Sequence, residues 1–197
     1  MLLYFARRFD LASADQRAGR YERDQYSRTR RLAGQRALIV GYGALGRECA
    51  RLLKAVGIHV VGVKRQAAVD PAPADAVFAL QDLPRLLSEV DHVISTLPAD
   101  TGTDHLFDDA AFSAMRPSAG FYNLGRGNAV DETALLRALN TGSIAHAFLD
   151  VFEREPLPND SPLWSAPNLA LTPHASAINA EYLDLWVEEL ASVLSEA

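Results

Sequence analysis

Seven short apolar runs recur along the chain, separated by helix-length segments or by polar connections. Taken as strands they are Arg36–Gly41, Ile58–Val63, Ala76–Leu80, His92–Thr96, Gly120–Leu124, Ala145–Asp150 and Asn168–Leu171. Between them, Ala44–Val56 carries apolar residues at helical spacing, Asp82–Glu89 is a short helix, and Asp109–Met115 is stopped by Arg116-Pro117. Asp131–Asn140 begins with acidic residues suited to a helix N-terminus and ends before Gly142, and Ile178–Leu194 reads as a long closing helix. Arg154–Pro167 holds four prolines and is expected to be irregular, as is the Pro/Ala-rich stretch Gln66–Pro73. Strand-like runs alternating with helical segments predict an α/β fold, a doubly wound parallel sheet with helices on both faces. No repeat or low-complexity tract interrupts the pattern.

Composition narrows the picture without changing it. The chain has 197 residues, 49% hydrophobic, 22% charged and 8% aromatic, enough for a real core. A formal charge of −6 argues against a general nucleic-acid or anionic-membrane surface. Arg28, Arg30, Arg31 and Arg36 form a local basic cluster, read as a solvated approach to the first strand. The single cysteine, Cys49, excludes an internal disulfide and is expected as a small core residue, which suits a reducing cytoplasm. No run approaches the ~18 apolar residues of a membrane helix. Met1-Leu2-Leu3-Tyr4-Phe5 is too short for the core of a signal peptide and has its arginines on the wrong side, so a cytoplasmic protein is expected.

Candidate chemistry begins where the first strand ends. Gly41-Tyr42-Gly43-Ala44-Leu45-Gly46 places three glycines between that strand and the helix after it, the arrangement of a dinucleotide-binding turn on a Rossmann-type sheet. Gly41 permits the tight turn, Gly43 lets a pyrophosphate approach the backbone, and Gly46 lets the helix pack closely. The helix N-terminus favours an anion through its unpaired N–H groups and dipole. Alone, the spacing also fits a glycine-rich β-turn. At the end of the second strand a NAD site usually carries an acidic residue for the ribose hydroxyls. Here the chain reads Lys64-Arg65, two cations suited to the 2′-phosphate of NADP, or simply two exposed charges after a strand.

Three polar positions follow strand C-termini, where open α/β sheets bind ligands. Arg126, in Asn123-Leu124-Gly125-Arg126-Gly127, offers a planar fork for a carboxylate and its neighbouring carbonyl. His174, after Thr172-Pro173, can protonate an oxygen, and Glu155 can pair with the imidazole and fix its tautomer. Taken singly, the arginine and glutamate fit a surface ion pair and the histidine a structural role. No metal site is expected.

The ordered set Gly41–Gly46, Ser95-Thr96-Leu97-Pro98, Asn123–Gly127 with Val130-Asp131-Glu132, Ala147–Pro156 and Thr172-Pro173-His174 resembles the D-isomer-specific 2-hydroxyacid dehydrogenases. That family includes glyoxylate/hydroxypyruvate reductases, phosphoglycerate dehydrogenase and D-lactate dehydrogenase. The resemblance covers almost the whole chain. It implies that Arg126, Glu155 and His174 form the catalytic set. It also implies a cofactor site of Gly41, Tyr42, Gly43, Ala44, Leu45, Gly46, Lys64, Arg65, Leu97, Pro98, Thr103, Leu124, Gly125, Arg126, Asp150 and His174. Within that site, Leu97 and Pro98 line the adenosine pocket, Thr103 belongs to the loop beside the cofactor, and Asp150 lies near the nicotinamide carboxamide. Lys64-Arg65 resembles members that favour NADPH, with NAD as the second cofactor.

Family members carry a substrate lobe ahead of the point where this chain begins, so the resemblance implies a cofactor domain with stubs of the other lobe. Residues 1–30 correspond to the crossing helix and linker, 31–175 to the dinucleotide-binding domain, and 176–197 to a C-terminal helix packing back toward the lobe. The implied activity is hydride transfer from NAD(P)H to a small 2-oxo acid, or the reverse oxidation of a D-2-hydroxy acid. The alternative is a dinucleotide-binding module without turnover, either a relic or a redox-sensing interaction protein, because the absent lobe would position substrate and exclude water. A homodimer is expected, since Leu2, Leu3, Tyr4, Phe5 and Phe9 would otherwise be poorly covered.

Overall fold

All seven expected runs are strands in the computed structural model, which describes every residue except 68–69, 179, 182–186, 188–190 and 192–197. They are β1 (Arg36–Val40), β2 (His59–Lys64), β3 (Ala76–Ala79), β4 (His92–Ser95), β5 (Gly120–Asn123), β6 (His146–Leu149) and β7 (Leu169–Leu171). Every pairing is parallel, in the order β3-β2-β1-β4-β5-β6-β7. The chain therefore reverses its direction of travel across the sheet between β1 and β4, the switch point at which such sheets open a crevice.

Alternate strand residues feed two cores, as the two-residue period of a strand requires. Leu38, Val40, Val61, Val63, Val93, Phe121 and Leu149 face one side; Ala37, Ile39, Val60, Ile94, Tyr122 and Phe148 face the other. The helices are α1 (Leu2–Ala6), α2 (Phe9–Ala18), α3 (Ala44–Ala55), α4 (Leu83–Leu87), α5 (Asp109–Ala114) and α6 (Glu132–Thr141). Leu83, Leu86, Phe112, Leu135 and Leu139 from α4, α5 and α6 cover the first core, while Phe5 of α1 with Ala50 and Leu53 of α3 cover the second. Asp108 and Asp131 cap α5 and α6, accepting from the amides of Ala111 and Ala134 at 2.9 Å each.

Several expectations need adjustment. Asp82–Glu89 is a 3-10 turn (Leu80–Asp82) running into the short α4, because Pro84 suits only the first turn of a helix. The proline-rich stretch contains a 3-10 turn, Pro162–Ser165, capped by Ser161. Phe5 is buried, stacked on His146 at 4.0 Å, while Leu3 and Phe9 remain exposed. Cys49 is only half-buried, beside exposed Leu52. The basic cluster is not merely solvated: Arg30 pairs with Asp91 at 3.2 Å and Arg36 with Glu89 at 3.6 Å. Most of the expected helix Ile178–Leu194 lies outside the described residues.

The N-terminal edge of the sheet is closed by a directed chain of hydrogen bonds. Gln35 donates its amide to the Arg31 carbonyl, so its oxygen accepts from His92 Nε2 at 2.7 Å. His92 Nδ1 then accepts from the Tyr122 hydroxyl at 3.2 Å, and that hydroxyl accepts from His146 Nε2 at 2.9 Å. Burial lowers His92 to about 4 and His146 to about 3, so both rings are neutral links.

Candidate functional site

Parallel register brings the predicted site residues to one edge. Val63, Val40, Ser95, Asn123, Leu149 and Leu171 form a continuous row across β2, β1, β4, β5, β6 and β7. The next residue of each strand exit is therefore Lys64, Gly41, Thr96, Leu124, Asp150 and Thr172. Gly41, Arg126 and His174 lie within three residues of this line, and Glu155 six residues beyond it.

At the switch point the crevice is built from backbone. Gly41 adopts φ +103°, and a Cβ there would sit 2.8 Å from the Thr96 backbone. Thr96 ties the two loops together by donating its hydroxyl to the Gly41 carbonyl at 2.8 Å. A Cβ on Gly46 would lie 2.8 Å from that same carbonyl, whereas one on Gly43 would meet nothing within 4 Å. The open backbone at Gly43 thus faces the crevice, at the start of a helix whose first turn no side chain caps. Gly41, Gly43, Ala44, Leu45, Leu97, Pro98, Gly125 and Arg126 line this crevice of about 520 Å³. A dinucleotide fits these groups: its pyrophosphate matches the uncapped N–H groups of α3, and its adenosine matches the apolar Leu97-Pro98 wall.

Not every expected cofactor residue points there. The Tyr42 ring is buried against Gly62, and its hydroxyl donates to the Pro71 carbonyl at 2.7 Å and accepts from the Ala74 amide at 2.9 Å. Only its backbone belongs to the turn. Thr103 is buried and donates its hydroxyl to the Asp100 carbonyl at 2.7 Å, bracing the loop. Lys64 and Arg65 are exposed at the end of β2, and Arg65 pairs through Nη2 with Asp100 Oδ2.

The Arg126 loop is held from below. Asn123, fully buried, accepts from the Gly125 amide at 3.1 Å and donates to the Arg126 carbonyl at 3.0 Å. A Cβ on Gly125 would lie 2.4 Å from the Leu97 carbonyl, and one on Gly127 would lie 1.9 Å from the Phe152 backbone. These two glycines are therefore contact points between the β5 loop and its neighbours. Arg126 itself donates to the Gly125 carbonyl at 2.8 Å.

Beyond β6 and β7 the site is built from side chains. Glu155 Oε2 meets His174 Nδ1 at 2.8 Å, and Glu155 Oε1 accepts from the Phe152 amide at 3.0 Å. Partial burial pushes the Glu155 carboxyl up, but these hydrogen bonds and the charges of His174 and Arg126 outweigh it and hold the group below its usual value. Asp150 has both oxygens occupied, by the Thr172 hydroxyl, the Ala175 amide at 2.9 Å and the Ser176 amide at 3.0 Å. It clamps the turn that presents His174, whose amide also donates to the Asp150 carbonyl at 2.8 Å and whose φ is +51°. Burial raises the Asp150 carboxyl and the three donors more than reverse this.

Glu155 and His174 thus stand together beside an apolar cavity of about 640 Å³ walled by Phe152, Leu157, Trp164 and Leu171. Arg126 lines the neighbouring crevice instead. The positioning roles of Thr96, Asn123 and Asp150 do not follow from the motif glycines. Only Asn123 carries a local signal, an Asx-turn residue two positions before a glycine. Among the described residues no group of His, Cys, Asp and Glu is arranged to hold a metal ion, and no helix is long and apolar enough to cross a membrane.

Residues 1–176 match the sequence profile described as D-isomer specific 2-hydroxyacid dehydrogenase, NAD binding domain. The chain is 34% identical over 197 residues to D-3-phosphoglycerate dehydrogenase 2, chloroplastic, of Arabidopsis thaliana, covering all of this chain and 31% of that protein. It is 52% identical over 100 residues to glyoxylate/hydroxypyruvate reductase B of Citrobacter koseri, covering 51% of this chain and 31% of the reductase. Among solved structures, an NADPH-dependent glyoxylate/hydroxypyruvate reductase from Sinorhizobium meliloti, in complex with NADP and sulfate, superposes with a TM-score of 0.83 at 28% identity. That match covers 99% of this chain and 62% of the other. The chain matches under a third of the length of the two sequence relatives.

Proposed function

Since the chain belongs to the D-isomer specific 2-hydroxyacid dehydrogenase family, matching its NAD-binding domain, we propose that it binds a nicotinamide dinucleotide in the β1/β4 crevice and serves reduction of a small 2-oxo acid. The observation that carries this reading is the 2.8 Å bond between His174 Nδ1 and Glu155 Oε2, one loop away from a crevice lined by Arg126. Bound NAD(P)H supplies the hydride. Arg126 fixes the substrate carboxylate by a forked, charge-assisted contact, exchanging its bond to the Gly125 carbonyl for the ligand. With Nδ1 engaged by Glu155, His174 presents Nε2 as the proton donor to the carbonyl oxygen that becomes the hydroxyl. Glu155 stabilises the protonated ring and its tautomer, and Asp150 holds the turn that aims it.

Lys64 and Arg65 favour NADPH over NADH, a preference in keeping with the NADP complex of the Sinorhizobium meliloti relative. Residues 31–175 carry the dinucleotide-binding function, with 1–30 and 176–197 as the segments toward a second lobe. Exposed Leu3, Phe9, Leu52 and Val56 favour a homodimer.

The test is NADPH oxidation by the purified chain with a panel of 2-oxo acids, with His174→Ala as the blank and dinucleotide binding measured in parallel. Turnover lost in the variant supports the reductase. Binding without turnover leaves a dinucleotide-binding module, and absence of both overturns the reading.

A further inference from the structure

We propose that Asp100 is a built-in competitor for the 2′-phosphate of NADPH and so sets how strongly the crevice discriminates between NADPH and NADH. The proposal rests on the reading that Lys64 and Arg65 face the adenosine ribose. Arg65 follows the last residue of β2, and its side chain is 80% exposed, yet its guanidinium is not free: Nη2 meets Asp100 Oδ2. Asp100 comes from a different element, the loop after β4, immediately beyond Leu97, Pro98 and Ala99 of the crevice wall. The ion pair therefore bridges the two loops that flank the adenosine end of the crevice.

The two partners differ in how firmly they are held. Asp100 Oδ1 accepts from the Gly102 amide at 2.9 Å, and its carbonyl accepts from the Thr103 amide at 2.8 Å and the Thr103 hydroxyl at 2.7 Å. The carboxylate is thus fixed by its own turn, while Arg65 is a long exposed chain that reaches to it. A 2′-phosphate, though tetrahedral, likewise offers the guanidinium two accepting oxygens, with more charge. To engage Arg65 it must either displace Asp100 or accept a fixed negative charge beside it. NADH brings only ribose hydroxyls and meets neither obstacle. Among the described residues no carboxylate pairs with Lys64, so Arg65 is the cation on which this competition acts.

The experiment is calorimetric titration of the chain with 2′,5′-ADP and with 5′-AMP, which probe the adenosine end with and without the extra phosphate and require no turnover. The variant is Asp100→Asn, which keeps an oxygen for the Gly102 amide and removes only the charge. Affinity for 2′,5′-ADP is expected to rise about twofold to fivefold, the range of an exposed ion pair, and the gain to shrink in high salt. Affinity for 5′-AMP is expected to stay where it was.

Two further variants separate the failures. If Asp100→Asn leaves 2′,5′-ADP binding unchanged while Arg65→Ala weakens it, the competitor role is overturned and the cationic phosphate site stands. If Lys64→Ala with Arg65→Ala leaves the ratio of 2′,5′-ADP to 5′-AMP affinity unchanged, the phosphate site itself is overturned and the competitor role with it.

Discussion

The two edges of the sheet carry the same side chain in opposite settings. At the C-terminal edge His174 is half-exposed, with one ring nitrogen on a carboxylate and the other left for a ligand. At the N-terminal edge His92 hydrogen-bonds Gln35 and Tyr122, His146 hydrogen-bonds Tyr122 and stacks on Phe5, and neither hydrogen-bonds a carboxylate. Burial dominates there and keeps both rings neutral. Access and an acidic partner, not residue type, separate the proposed proton donor from a structural link. The backbone repeats the contrast. At the upper edge β1 and β5 open into glycine turns, while the lower edge is lined by α1 and the hydrogen-bond chain.

The largest effect expected from this contrast is on turnover. On the proposed function, His174→Ala removes the proton donor and should lower reduction of a 2-oxo acid by about 10²–10⁴-fold. Because the ring is half-exposed, melting temperature and dinucleotide affinity should barely move. A variant that keeps its rate would put proton donation elsewhere and erase the distinction between the two edges.

The lower edge should answer to acid instead. A histidine whose folded value lies below its ordinary one binds fewer protons when native than when unfolded, so stability falls as pH drops below 6.5 and continues to fall until the folded value is passed. For His92, from 6.5 to about 4, the loss is about 3 kcal/mol. Denaturation by urea at successive pH values measures it. Imidazole resonances of His92 and His146 should stay fixed between pH 7 and 6, where a free histidine titrates; movement there would break the comparison from the other side.

How much of this was legible in sequence depends on whether a feature is local. The strands were visible because both sides of the sheet demand apolar residues, and the glycine turn because its spacing reflects one tight connection. Arg126, Glu155 and His174 stood out by following strands. Register then explains why they share an edge, since Ser95, Asn123, Leu149 and Leu171 lie in one row. Partners distant in sequence were not legible. Nothing near Arg65 announces Asp100, nothing near Tyr42 announces that its hydroxyl serves the Pro71–Ala74 turn, and nothing near Asp150 announces the three donors from the β7 exit.

Close approach is the clearest case of such hidden information. Gly127 looks like a flexible neighbour of Arg126, but its α-carbon lies against Phe152, where a Cβ would fall 1.9 Å from backbone. Gly127→Ala must push the β5 and β6 loops apart. It should cost about 1–3 kcal/mol and lower the melting temperature by roughly 2–12 °C. Both the Arg126 crevice and the Glu155 corner would be disturbed, so this variant should harm binding and turnover together, unlike His174→Ala. An alanine tolerated without loss would mean that the two loops are not in contact in solution.

The smallest effect sharpens the comparison most, because it isolates the acidic partner. Glu155→Gln keeps an oxygen for the His174 Nδ1–H and removes only the charge. The pair is exposed to solvent, so the charge contributes at most about 1 kcal/mol, and turnover should fall by about fivefold or less. The sign with pH is fixed by the direction of the carboxyl's shift. Held below its usual 4.5 in the folded protein, Glu155 contributes stability above that pH and loses it as pH falls through the folded value. The difference in stability between the parent chain and Glu155→Gln should therefore be constant near neutrality and vanish on acidification below 4.5. This runs to lower pH than the onset of the His92 loss, which begins at 6.5. A low-pH limb diminished by Glu155→Gln, with the remainder left to Asp150 and the other carboxylates held low, beside a higher limb untouched by it would assign each edge its own titration; a low-pH limb insensitive to the substitution would mean that Glu155 carries no charge-dependent role.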